Sequence, residues 1–286
     1  MRIAPSASED LRQTLAVLRP NVVVHVVRFA EALGVDCRPW FGALGLTRDT
    51  VFDPHARLSY RQVRTLLVRA IEACGLPHLG LAVGGSENLS AFGLLGLLMM
   101  TSATFGEAVQ QGVANHEVSG SLLDMDFEDA GNGKAALVVW PRYDDPQVLP
   151  FLCEEMIASS LQLAKALIGP AFRLLRVDLA YPAPAYATRY ADVLGTQPHF
   201  AAAATRVIFE ARWLATPLPG HNPLASREAL EICQRQQDEQ ESEQEIVVAV
   251  ERLLRTQCRE RPRIEQVAEQ LNLSVRSLRR RLTDAG

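Results

Sequence analysis

The chain has 286 residues, 48% of them hydrophobic and 22% charged, with a formal net charge of −4. That length holds one large domain, or a core domain with a small one beside it. The composition excludes a disordered chain, and the longest apolar run, "AFGLLGLLMM", falls short of the roughly 20 residues a membrane span needs.

The first residues, "MRIAPSASEDLRQTL", carry acids early and no apolar core, so they do not read as a signal peptide. From there to residue 118 the pattern is mostly helical. "RQVRTLLVRAIEACG" puts Val63, Leu66, Leu67, Ala70 and Ile71 on one face and stops at Gly75, with Ser59 as its N-cap. The run Phe92 to Met100 is apolar nearly all round, which predicts a buried helix. Thr104 and Glu107 have the spacing of a capping box for the helix that follows.

Between residues 119 and 140 the period changes to two. Leu123, Met125 and Phe127 alternate, Asn132-Gly133 is a hairpin dipeptide, and "KAALVVW" reads as the returning strand. A helix is predicted over about 147–168, closed by Gly169-Pro170. "FRLLRVDLAY" follows as a strand, then a short helix near 184–194, and Val207–Phe209 as another strand. The expected fold class is α+β: a helical first half, then a hairpin and antiparallel strands interleaved with helices, followed by an all-α C-terminal segment. "TPLPGHNP" closes the large domain. The expected division is a domain over 8–220, a linker over 221–245, and a helical unit over 246–286. The polar stretch between is read either as a linker with a helix at each end or as one long helix.

The tail carries the most specific pattern. Residues 259–286 hold seven arginines and four acids, a net of +3 on an otherwise acidic chain. Basic residues elsewhere are also nearly all arginine, with lysine only at Lys134 and Lys165. Ile264, Val267, Ala268 and Leu271 form an apolar stripe at helical spacing. Asn272 tolerates the left-handed backbone of a tight turn, and Ser274 is an N-cap for a second helix. In that helix Val275, Leu278 and Leu282 point one way, while Arg276, Arg279 and Arg280 cluster opposite and Arg281 lies on the flank. Two short helices about a tight turn read as a helix-turn-helix, whose second helix would enter a major groove. Arginine pairs bidentately with guanine, so Arg276, Arg279 and Arg280 are candidate base readers. Arg281, Arg261 and Arg263 are placed for phosphates. The competing reading is a helical hairpin with a solvated basic face.

"IEQVAEQLNLSVRSLRRRLTDAG" resembles the first helix-turn-helix of the AraC/XylS transcription regulators, with Ala268, Asn272, Ser274, Leu278, Arg280 and Gly286 at matching positions. Upstream, "DPHARLSYRQVRTLL", "LGLAVG", "FGLLGLLMMTSATFGEAVQ" and "VIFEARWLATPLPG" resemble the arabinose-binding-type N-terminal domain of one branch of that family, in the same order. The resemblance implies a regulator that is not an enzyme. Its N-terminal domain would sense a small molecule and mediate homodimerisation, and its tail would bind promoter DNA through Arg276, Arg279, Arg280, Arg281 and Ser274. Family members carry a second helix-turn-helix, which is expected to be lacking here. An alternative reading is therefore a ligand-binding or dimerising regulator that does not itself bind DNA.

The effector is not identified by the sequence. Candidate contacts are Met99 and Met100 as adaptable walls, His116, and Trp140 with Arg142, which could grip a carboxylate. Each also has a plain reading as core, structural histidine or surface turn. No catalytic motif survives. "NHEVSG" has Gly120 where a zincin needs its second histidine, and "AVGGSEN" has Asn88 where a nucleophile elbow needs glycine. Glu154 and Glu155 are adjacent and on a helix cannot face one substrate. The five cysteines, Cys37, Cys74, Cys153, Cys233 and Cys258, include no close pair. They read as reduced thiols of a cytoplasmic protein. No metal or cofactor is expected, and no membrane partner.

Overall fold

The computed structural model describes residues 13–256, 262–271 and 273–284. The expectations for Asn272, Cys258, Arg261 and Gly286 lie outside these residues. The chain opens with β1 (Ala16–Leu18), α1 (Asn21–Ala32), α2 (Arg38–Phe41), α3 (Arg48–Phe52), β2 (Leu58–Ser59), α4 (Tyr60–Cys74) and α5 (Leu79–Ser86). It continues with α6 (Gly93–Thr101), α7 (Phe105–Ala114), β3 (Leu123–Gly131), β4 (Lys134–Pro141) and α8 (Leu149–Ile168). Then come β5 (Arg176–Asp178), α9 (Arg189–Leu194), β6 (Thr205–Glu210), α10 (Pro223–Thr256), α11 (Ile264–Gln270) and α12 (Val275–Asp284). The fold is mixed α and β, with a four-stranded antiparallel sheet in the order β3-β4-β6-β5. Sequence periodicity did not suggest the short antiparallel pair β1–β2, because two or three residues are too few to show a period.

Local chemistry sets several boundaries as expected. Ser59 Oγ accepts the Gln62 N–H while the Gln62 carboxamide oxygen accepts the Ser59 N–H, closing a capping box on α4. Thr104 caps α7 through the Glu107 N–H, but the Glu107 carboxylate reaches one residue further, to the Ala103 N–H. Asn132 and Gly133 both take positive φ, 53° and 70°, as a two-residue hairpin turn requires. Helix α6 is not buried all round: Leu97 and Met100 are 42% and 36% exposed, while Leu95, Leu98 and Met99 face inward. Residues expected as a linker are largely helical, since α10 runs unbroken from Pro223 to Thr256. Its middle is rich in Gln and Glu, which favour helix even without packing.

Helix α5 lies against α8 at backbone distance. A β-carbon on Gly80 would collide with the Phe151 carbonyl oxygen, and one on Gly84 with the carbonyl of Glu155. Helix α10 contributes to two cores. Near its start, Ala229 and Cys233 are buried in the main core. Near its end, Ile246 joins Val267, Ala268 and Leu278 in a second, smaller one. The start of α10 is tied to the end of α6. Asn222 donates its N–H to the Thr101 carbonyl, and its side-chain oxygen accepts from Leu224 and Ala225.

Gly84→Ala is expected to cost about 1–3 kcal/mol of stability by forcing the helices apart. At Gly85 an added methyl would meet only Val193 Cγ1, at 3.3 Å, and alanine favours helix, so Gly85→Ala should be close to neutral. Urea unfolding of both variants beside the parent measures the difference.

Candidate functional site

Helices α1, α6, α7 and α8 and the inner face of the sheet line a cavity of about 170 Å³ that opens partly to solvent. Its wall is mainly apolar, with Leu95 and Met99 from α6, Val109 from α7, Met156 from α8 and Phe209 from β6. The inner faces of strands and helices supply these residues because the period-two and helical patterns put them there. Such a lining with a few polar groups is what a small-molecule site needs.

Two polar clusters border it. The first joins α1, the residue after α5, and α8. His25 Nδ1 stands 2.8 Å from Glu87 Oε1, and ligand atoms of His25, Glu87 and Glu155 all lie within 4.8 Å of one another. Glu87 is held there because its own N–H closes the end of α5 on the Gly84 carbonyl, 3.3 Å away. The glycine contact of α5 with α8 then sets Glu87 beside Glu155. Burial raises the Glu87 carboxyl to about 7, against a partly compensating hydrogen bond with Glu155. Burial, then the charge of Glu87, raise Glu155 well above the usual carboxylate range. Burial lowers His25. Among the described residues no lysine or arginine forms an ion pair with either glutamate.

The second cluster contains its own cation. Arg142 Nη2 donates to Asp124 Oδ1 at 2.6 Å and to Glu117 Oε1 at 2.9 Å. His116 Nδ1 lies 2.7 Å from the Val113 carbonyl, which can only accept, so Nδ1 carries the proton. Nε2 lies between Arg142 Nη2 at 3.3 Å and Asp124 Oδ1 at 3.4 Å. Burial would raise the Asp124 carboxyl, but Arg142 and His116 together hold it below its ordinary value.

The candidate effector residues thus separate. Met99 and His116 border the cavity. Met100 and Trp140 are surface side chains, and the Arg142 guanidinium is engaged by Asp124 and Glu117. The rest of the "WPRYDDP" loop also braces the fold. Tyr143 stacks on Tyr60 at 3.9 Å between ring centres, and Asp145 receives Arg64 and the Tyr60 hydroxyl. His25, Glu87 and Glu155 were not singled out as a site from the sequence. Their neighbour Glu154 does face elsewhere, as helix geometry requires: its Oε1 accepts from Tyr186 and Tyr190, and burial raises it to about 7.

A second surface lies on α12. Leu278 is fully buried against Val267, Ala268 and Ile246, and Val275 and Leu282 pack beside it. Arg276, Arg279, Arg280 and Arg281 are all exposed. Ser274 Oγ accepts the Ser277 N–H at 3.0 Å, so it caps the helix. At the start of α11 the Gln266 side-chain oxygen accepts the Arg263 N–H at 2.7 Å.

Comparisons with known proteins give this geometry a family. Residues 34–218 match the family model described as the arabinose-binding domain of AraC transcription regulators, N-terminal. The chain is 30% identical over 267 residues to an ornithine utilization regulator of Pseudomonas aeruginosa, covering 91% of this chain and 78% of that protein. Its fold is similar to that of the transcriptional regulator CdpR from Pseudomonas aeruginosa. The TM-score is 0.53 at 20% identity, over 87% of this chain and 78% of that one. The chain belongs to the AraC-type transcription regulators with an arabinose-binding-type N-terminal domain. Both relatives are named as regulators. Among the described residues no single helix is long and apolar enough to cross a membrane.

The raised glutamates set a pH dependence. In the folded chain Glu87 and Glu154 hold protons up to about 7, whereas unfolded they release them near the ordinary value of 4.5. The folded state therefore binds more protons over that window, and stability falls as pH rises through it. His25, lowered from 6.5, acts oppositely, but only below that value. From about pH 6 to about pH 8 the melting temperature should drop by a few degrees, at roughly 1 kcal/mol per glutamate. Glu87→Gln should flatten the drop, and differential scanning fluorimetry across buffers measures it.

Proposed function

We propose that the chain is a ligand-responsive, DNA-binding transcription regulator. In this reading α11 and α12 form a helix-turn-helix, and α12 enters the major groove of promoter DNA. The observation that carries it is the one-sided helix: three exposed arginines opposite a side anchored by the fully buried Leu278, with exposed Arg281 on the flank. Arg276, Arg279 and Arg280 face base edges. Arg281 meets phosphate, and Ser274 sets the start of the helix close to the backbone. The effector occupies the cavity, with Met99 and His116 among its contacts. Ornithine is a first compound to test, because a relative is named for its utilization.

The route from cavity to DNA is physical. Leu95 and Met99 line the cavity from α6, and the end of α6 bonds to Asn222 at the start of α10. The far end of α10 supplies Ile246 to the core that holds α12. An effector that prefers one position of α6 would bias the orientation of α12 through this helix. Two copies acting as a homodimer would read paired half-sites.

Selection of bound sequences from a random duplex pool provides the DNA probe. On the selected duplex, Arg280→Ala should cost about 1–3 kcal/mol and relax sequence preference. Arg281→Ala should weaken selected and scrambled duplexes alike and reduce the salt slope by about one. Fluorescence anisotropy on both duplexes reads this. Equal losses on both duplexes for both variants would sink the base-reading assignment.

A further inference from the structure

We propose that His25, Glu87 and Glu155 form the recognition end of the cavity for an organic cation, a protonated amine carried on an apolar body. The proposal deepens the ligand-sensing reading above and rests on it. The two polar clusters at the cavity differ in one respect. Asp124 and Glu117 already have Arg142 as their cation. Glu87 and Glu155 have no arginine or lysine partner among the described residues; their neighbouring base is His25, 2.8 Å from Glu87.

The Glu87 side chain is only 6% exposed. Its Oε1 is buried without a well-aligned hydrogen bond, as is His25 Nδ1, although the two atoms are close. Both residues border the cavity, so Glu87 Oε1 is an acceptor without a well-aligned donor at one end of a mainly apolar lining. Burying such a group unpaired is costly, and a donor from a ligand relieves the cost. An ammonium group presents three donors, and with one proton retained between the two carboxyls it would leave the site neutral. An anionic head would find no arginine or lysine there to pair with.

Size favours an organic cation over a bare metal ion. A cavity of about 170 Å³ adjoins the cluster, room for several waters and far more than a bare ion fills. Phe92, Leu95, Met99 and Met156 provide an apolar wall for the ligand body, and the methionines adapt to its shape.

The test is isothermal titration calorimetry of the full chain with hexylamine, hexan-1-ol and hexanoate as a matched series, and with Zn²⁺ alone. Hexylamine should bind at least about tenfold more tightly than the alcohol, and hexanoate should be weakest. Glu87→Gln and Glu155→Gln should each erase the preference for amine over alcohol, with circular dichroism confirming a folded chain. If the variants do not fold, the comparison on the parent chain still decides. Equal binding of amine and alcohol, stronger binding of the acid, or no amine binding would overturn the proposal. So would stoichiometric Zn²⁺ binding that amine does not displace, which would make the cluster a metal site. Anisotropy on the selected duplex separates the two readings. A neutral or anionic compound that shifts DNA affinity, with no amine bound, overturns this site and leaves the regulator reading standing. Amine binding that leaves DNA affinity unchanged supports this site and counts against ligand-controlled DNA binding.

Discussion

The backbone contact between α5 and α8 is the constraint on which the rest of the large domain depends. Gly80 and Gly84 stand one turn apart on the same face of α5, and each meets a carbonyl of α8 where a side chain would not fit. This closeness fixes how far along α8 the helix α5 ends. It therefore decides that Glu87 meets Glu155 and that Glu154 turns to Tyr186 and Tyr190. Past Glu87, Asn88 accepts the Ser90 N–H and the chain turns into α6, which forms another wall of the cavity. One small-residue contact thus sets both the polar end and an apolar wall of the same site.

Buried acids on neighbouring positions of α8 are handled in two ways. Glu154 is met by two tyrosine hydroxyls, with Tyr181 completing the cluster through Tyr190. Those donors belong to the fold, and the group is structural. Glu155 is met by another acid and a histidine, and its neighbours carry no fixed cation. Burial keeps protons on this pair above the ordinary carboxylate range, and without a cation it can ionise only at a cost. Its place at the border of a ligand-sized cavity gives that arrangement a use.

Helix α10 links this domain to the tail. Its first turns pack in the main core and its last turns in the core of α11 and α12, so the two cores share one rigid element. A helix of 34 residues spans roughly 50 Å.

The sequence alone determined the elements and much of their chemistry. Helical and period-two spacing marked α4, α7, α8, the β3–β4 hairpin and β6, and the Ser59 and Ser274 caps and the Asn132-Gly133 turn were readable because they are local. The inward Leu278 and the outward arginines of α12 were readable for the same reason: one helix carries both faces. The opposed directions of Glu154 and Glu155 also followed from helix geometry. Only the tertiary structure decided which residues meet across elements. His25, Glu87 and Glu155 lie far apart in the chain on segments whose spacing says nothing of one another. The structure also showed that Arg142 is engaged by Asp124 and Glu117, and that Met100 and Met99, adjacent in sequence, point to surface and cavity. Periodicity reports which face of a helix is buried, whereas a site is set by what that face is packed against. Here that depended on two glycines letting two backbones touch.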